Sequence, residues 1–392
     1  MMPSAPPPPP PPSELGFRWP AEWEPQKQAF LGWPSIGEWF RNDAGPVQEQ
    51  IVGVARALSE FQEVTVCANP HQVKRAREML PPHINVLEVP HETPYIRDTA
   101  PLFVVRPTAE SSEDPSQNEV LAIDFKFNAY GGIQKEDGSW WTKYGTLYAT
   151  DLKDARVAAT LAASQGVPLM KADFVLEGGS VHTDGEGTLV TTAECLLHEN
   201  RNPHLTKEQI EEQLRRYLAI QKVIWLPKGV YADFYTNGHV DNFCCFVRPG
   251  AVLLAWTEDR SDPQYEISAA ALEVLQSTKD AKGRALEVFK VPLPPNLFIT
   301  QEEADGLLGE VKKRDAGARL PASYVNFYLA NGGAVIPAFG VETDEPARQA
   351  IQAAFGPSRK VVSVPAREIL LGGGDIHCMS MQQPVGVPAR GF

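Results

Sequence analysis

The feature that most limits what this chain can become is a pattern that recurs five times. A β-rich run ending near proline or glycine leads into a polar loop and then into a second apolar run. The first unit joins 86–90, the Arg97-Asp98 loop and 101–105, and the second joins 174–176, Glu177-Gly178-Gly179 and 188–191. The third joins 223–227 and the loop 237–241 to 243–247 and 252–256. The fourth takes in 288–292, 323–329 and 334–337, and the fifth 361–365 and 372–378. Helical periodicity falls between them at 46–61, 151–164, 206–220, 264–279, 301–313 and 345–355. The clearest helix begins with the capping-box pair Thr206 and Gln209 and puts Ile210, Leu214, Tyr217 and Leu218 on one face. Strands alternating with helices predict an α/β fold. Five repeats predict a five-bladed α/β propeller whose polar loops face one axis. A doubly wound open sheet is the competing arrangement, and periodicity alone does not separate the two.

Residues 1–15 stand outside this pattern. Their proline run favours extended polyproline II and cannot join a core, so a disordered tail is expected, with 16–392 as a single domain. The tail has neither the basic and apolar regions of a secretory signal nor the Arg-rich character of a transit peptide. The polar stretch 106–119 reads as a surface loop and not as a domain boundary. No apolar run of about eighteen residues exists, so no membrane span is expected. The net charge of −13 argues against nucleic acid as a partner and is compatible with a cationic ligand. The five cysteines are too few and too odd for a disulfide framework, which suggests a reducing, cytoplasmic setting. Cys67, Cys195, Cys244 and Cys245 sit in apolar runs, as buried inert thiols do. Cys378 alone sits among glycines and a histidine.

The polar loops carry the candidate chemistry. If the units repeat radially, Asp98, Glu177, His239, Asp241 and Cys378 meet in one cleft. A guanidinium carbon is a poor electrophile because its charge is spread over three nitrogens. Carboxylates must grip those nitrogens and hold the plane still before a nucleophile can reach its face. A thiolate suits that attack and is stabilised by the substrate's own cation. A histidine can protonate departing ammonia and then activate water. Glycines ahead of Cys378 let the backbone come close.

Each element also has a bland reading. Glu-Gly-Gly is commonly a turn, His-x-Asp a surface pair or two metal ligands, and Asp98 a partner for its neighbour Arg97. Strand alternation would turn His377 away from Cys378 and make it structural. Cys244 and Cys245 follow His239 closely enough to suggest zinc, but they lie in an apolar run and not in the turn pairs that zinc sites use, so no metal or cofactor is expected. The joint pattern, and no single member, points to the chemistry.

With those residues in view, the chain resembles the agmatine deiminases, within the guanidino-group-modifying enzymes and bacterial-type peptidylarginine deiminases. The likeness rests on 20–25 (Pro-Ala-Glu-Trp-Glu-Pro), Arg97-Asp98, 177–180 (Glu-Gly-Gly-Ser), 236–242 (Thr-Asn-Gly-His-Val-Asp-Asn) and 372–378 (Gly-Gly-Gly-Asp-Ile-His-Cys), and runs from about 16 to 385. It implies the five-bladed pentein fold, often dimeric and free of metal. The implied reaction converts agmatine and water to N-carbamoylputrescine and ammonia, a step toward putrescine. It places the nucleophile at Cys378, the acid/base at His239, a carboxylate beside that histidine at Glu177, and the guanidinium grip at Asp98 and Asp241. Tyr95 and Tyr130 stand where the family usually has tryptophan, Tyr95 at a substrate-binding position. Ala100 replaces a glycine, and 379–384 is less polar than usual. Deimination of arginine or peptidyl-arginine, amidino transfer to an amine, and a catalytically silent scaffold are the rival readings.

Overall fold

The computed structural model describes residues 10–35, 40–108, 114–134, 140–141, 153–306 and 315–392. Among these residues the strands divide into five separate mixed sheets and one two-stranded ribbon, and not one open sheet. The five sheets share one motif, in which a first strand runs antiparallel to a second and the second runs parallel to a third. Ser380–Pro384, Gln26–Gly32 and Glu63–Ala68 form it in the first sheet, with Asn85–Glu88 added at the edge. Leu102–Arg106, Glu119–Lys126 and Leu169–Val175 form it in the second. Val181–Thr183, Thr188–Thr192 and Lys222–Leu226 form it in the third. Cys244–Arg248, Ala251–Trp256 and Glu287–Pro292 follow, and then Tyr328–Ala330, Gly333–Ala338 and Lys360–Pro365.

A parallel pair needs a crossover, and a helix supplies one in every unit. The five are Gly45–Ser59, Val157–Ser164, Lys207–Leu218, Pro263–Ser277 and Asp344–Phe355. Each lies within two or so residues of an expected helix, except that Val157–Ser164 starts later than expected and residues 151–152 fall outside the described residues. The helix expected at 301–313 is seen as Gln301–Asp305, and 307–314 fall outside the described residues. Hydrophobic side chains between sheets and helices form two large buried clusters. No described helix is long and apolar enough to cross a membrane.

Three expectations change. Residues 1–9 of the proline tail lie outside the described residues, but Pro12–Leu15 forms a 3-10 helix beside Lys207–Leu218 with Pro12 buried, so the tail does not extend to residue 15. Its proline at the start pre-sets φ, and Gly16 ends it in a left-handed conformation. The stretch 323–329 is not all strand: pairing begins only at Tyr328, and the preceding residues turn inward. Residues 372–378 contain no strand either. The polar stretch 106–119, of which 109–113 fall outside the described residues, joins two antiparallel neighbours of one sheet.

The links between the third strand of one sheet and the first strand of the next carry the polar loops. They hold Asp98, Glu177, His239 with Asp241, Asn326, and Cys378.

The capping box at Thr206 is present in both directions, with the Gln209 N–H donating to Oγ1 and the Thr206 N–H donating to Gln209 Oε1. Thr206→Ala should cost about 1 kcal/mol of stability, measured as a lower urea midpoint at unchanged slope.

Candidate active site

Arg97 and Asp98 share the single helical turn Ile96–Thr99, and consecutive residues on a helix diverge by about 100°. Their side chains therefore part. Asp98 accepts from the Tyr130 hydroxyl at 2.8 Å and from the Gly179 N–H at 2.9 Å. Arg97 donates through Nη1 to Gln382 at 2.8 Å and to Glu22 at 3.1 Å. The expected Arg97–Asp98 partnership is thus replaced by a pairing of Arg97 with Glu22. The Arg97 N–H also donates to the Cys378 carbonyl at 3.1 Å, tying this turn to the thiol.

Cys378 is 4 % exposed, and its Sγ lies 3.4 Å from Asp241 Oδ2. Asn326 encloses the thiol from the fourth link, with Nδ2 at 3.1 Å from Sγ and Oδ1 accepting from the N–H groups of His377 and Cys378. Burial pushes the Cys378 thiol well up, and the Asp241 and Asp98 carboxylates push the same way. Without a cation beside it, this thiol stays neutral. Burial likewise raises Asp98, aided by Asp241 and Glu177 and opposed by His239, to about 6.

His239 enters from a tight turn in which Asn237 and Gly238 adopt left-handed φ values of 62° and 74°. Asp233 accepts from the His239 backbone N–H at 3.1 Å and holds that turn. The imidazole Nδ1 is 3.9 Å from Asp98 Oδ1. Burial opposes charge on this ring, but Asp98, Cys195 and Asp241 outweigh it and raise the ring to about 10. Glu177 and Cys195 lie beside it, their ligand atoms and those of His239 all within 4.8 Å of one another. Glu177 is fully buried and pairs with Arg201 Nε at 2.7 Å.

A second array lies behind Asp241. The His377 ring reaches Asp241 Oδ2 from Nδ1 and Glu22 Oε1 from Nε2, both at 2.9 Å. Glu22, His182 and His377 also bring ligand atoms within 4.8 Å of one another. In both clusters an arginine already balances the glutamate, Arg201 at Glu177 and Arg97 at Glu22, so the donors are charge-compensated by side chains. Cys244 and Cys245 lie buried in the strand Cys244–Arg248, their thiols pushed up by burial.

Asp98, Glu177, His239, Asp241 and Cys378, five sequence positions spread over 281 residues from Asp98 to Cys378 inclusive, thus lie together. Tyr95 packs on the glycine loop before the thiol: a Cβ at Gly374 would lie 3.0 Å from both its Cε1 and Cys378 Sγ. Cys195, Arg201 and Asn326 escaped sequence reasoning, because nothing near them in the chain marks what they face in the fold. Glu22 lay in a recognised motif without a role.

The tightness of the centre is measured at Gly179. An added Cβ would sit 2.7 Å from His239 Nδ1, 2.8 Å from Asp241 Oδ2 and 3.0 Å from Asp98 Oδ1. Gly179→Ala should lower kcat/KM by at least about a hundredfold, because it displaces all three groups at once. Far-ultraviolet circular dichroism should be unchanged, and near-native turnover would contradict the convergence.

The matching family model is Porphyromonas-type peptidyl-arginine deiminase, over residues 18–384. Curated agmatine deiminases from Medicago truncatula and Pseudomonas aeruginosa are 46 % and 48 % identical, each over 94 % of this chain and 96 % of the relative. The structure of an agmatine deiminase from Enterococcus faecalis, 38 % identical, superposes with a TM-score of 0.87 over 96 % of this chain and 98 % of that one. With the match spanning every link that carries the site, the chain belongs to the Porphyromonas-type peptidyl-arginine deiminase family.

Proposed function

We propose that this protein is an agmatine deiminase, hydrolysing agmatine to N-carbamoylputrescine and ammonia in a route to putrescine. The observation that carries the reading is the approach of His239, Asp241 and Asp98 to one point beside the Cys378 thiol. The near full-length similarity to curated agmatine deiminases supports the substrate. The reading also takes the five sheets as blades of a five-bladed pentein propeller, 16–392 as one catalytic domain, and the protein as a cytoplasmic homodimer. The net charge of −13 supports the absence of a nucleic-acid partner.

In this mechanism Asp98 and Asp241 grip the guanidinium nitrogens and hold its plane. The incoming cation offsets the two carboxylates that oppose ionisation of Cys378, so the thiol loses its proton to solvent as substrate docks. Sγ bonds to the guanidinium carbon. His239, charged at neutral pH, gives its proton to the departing nitrogen, and the C–N bond breaks to release ammonia. A thiouronium remains on Cys378. The neutral His239 then takes one proton from water, whose oxygen bonds to the same carbon, and as the C–S bond breaks the remaining hydroxyl proton passes to Sγ, releasing the urea product and restoring the thiol. Glu177, itself balanced by Arg201, stabilises the imidazolium.

Agmatine is preferred over arginine for an electrostatic reason. Arg97 and Arg201, the arginines buried at the site among the described residues, are each engaged by a glutamate. An α-carboxylate entering among Asp98, Glu177 and Asp241 would be desolvated against like charges. Agmatine should therefore be turned over at least about a hundredfold more efficiently than arginine. Ammonia release by the wild type and by Cys378→Ala tests the whole reading. The variant should lose several orders of magnitude, and turnover near the wild-type rate would remove the thiol mechanism.

The pH dependence follows from Asp98. Its free-enzyme value, raised to about 6, means that the gripping carboxylate becomes protonated as the pH falls through that point. The acidic limb of kcat/KM should lie there and not near the usual carboxylate range. Tyr130→Phe deletes the hydroxyl that donates to Oδ2, so it should move the limb upward. A limb that stays in place in this variant would assign it to another group.

A further inference from the structure

Resting on the reading above, we propose that His377 is a positioning residue that locks Asp241 so that one of its oxygens faces the substrate. Each ring nitrogen lies 2.9 Å from a carboxylate oxygen, Nδ1 from Asp241 Oδ2 and Nε2 from Glu22 Oε1. A neutral imidazole donates from one nitrogen and presents a lone pair at the other. That lone pair would face a carboxylate oxygen at hydrogen-bond distance, which is repulsive. With both carboxylates ionised, as the downward shifts of Glu22 and Asp241 support, only the doubly protonated ring satisfies both contacts.

The charged groups around the ring agree. Glu22 and Asp241 face it from opposite ends, and Arg97 shares Glu22 Oε1 at 3.1 Å while its Nε donates to the His377 carbonyl at 3.3 Å. His182 lies beside it with ring centroids 6.2 Å apart, its Nε2 3.6 Å from Glu22. The thiol of Cys378 touches the same Asp241 oxygen, and Cys245 lines the small space behind. Burial and Arg97 oppose charge on His377, but Glu22 and Asp241 prevail and raise its pKa. Burial would raise Asp241 too, but His377 foremost holds it below the usual carboxylate range.

The consequence lies at the other oxygen. Asp241 Oδ1 is buried and accepts no hydrogen bond from the described residues, whereas Oδ2 is held by the His377 N–H. A carboxylate pinned through one oxygen cannot rotate, and its free oxygen then offers a directed acceptor to a guanidinium N–H. His377 thus never touches substrate. It fixes the orientation and the ionisation of the group that does.

Two substitutions separate positioning from space filling. His377→Asn keeps an N–H donor near the Nδ1 position and drops Glu22, whereas His377→Gln reaches toward Glu22 and drops Asp241. His377→Gln should lose at least about a hundredfold in kcat/KM for agmatine, and His377→Asn should recover about tenfold of that loss. In His377→Gln the acidic limb should move to higher pH, because Asp241 no longer has a cation beside it. Equal losses in both variants with an unmoved pH profile would overturn the proposal. A second arm needs no substrate: nitrogen-15 histidine spectra, assigned by difference with His377→Gln, should show both His377 nitrogens protonated at about pH 8. A neutral ring there overturns the proposal even if turnover falls. Should the wild type not turn over agmatine, the functional reading fails and the spectra alone decide the charge on His377. If the His377 variants do not fold, Glu22→Gln retains an oxygen for Nε2 and removes only its charge. The His377 resonance should then titrate at lower pH, and an unchanged titration would refute the clamp.

Discussion

Asp241 is a carboxylate with almost no access to water, and one of its oxygens touches both a histidine ring and the candidate nucleophile. A buried anion persists only where nearby charge and hydrogen bonds replace its hydration. The groups that do this form a chain running from Asp241 through His377 to Glu22 and Arg97. On the other side Asp98 rests on Tyr130 and the Gly179 N–H, and Glu177 rests on Arg201. The site therefore keeps several ionised groups at close quarters while opposing ionisation of the thiol. A cationic substrate is the missing charge that reverses that opposition.

The fold supplies these contacts by keeping chemistry and framework in different parts of each unit. Strands and crossover helices form the apolar clusters, and the links between units carry the polar residues. Backbone must come close where five links meet, and there the chain uses glycine. Gly179 has three side chains of the candidate site within 3.0 Å of where a Cβ would be, and Gly374 has the Cys378 thiol at the same distance. These glycines are requirements of space. Gly238, with φ at 74°, is one of conformation.

Much of the frame was legible because it is written in short-range pattern. The helix from Lys207 announced itself by Thr206, Gln209 and its apolar stripe, and the strand runs at 223–227 and 288–292 lie where the sheets form. Gln26–Gly32 and Ser380–Pro384 escaped that reading, although they pair with each other in the first sheet. Their sequences mix glutamine with apolar residues, and their pairing joins the two ends of the chain, which no local window contains. Reading 323–329 as strand failed for a related reason. Its apolar residues are buried, but Asn326 must turn in to the thiol.

The sequence by itself determined the α/β class, the repetition of strand, polar loop and strand, and the isolation of Cys378 among glycines beside a separate His-x-Asp pair. These follow from local propensity and from residue chemistry, which act over a few neighbouring positions. Only the tertiary structure decided who partners whom. Arg97 and Asp98 are adjacent in sequence, yet one helical turn sends the first to Glu22 and the second to Tyr130. Strand alternation alone would turn His377 away from Cys378. His377 lies instead in a turn, and its ring bridges Glu22 and Asp241, which are 219 positions apart in the chain. Charge balance in a buried site is a sum over everything within a few ångströms, and that set is chosen by chain packing and not by sequence neighbourhood.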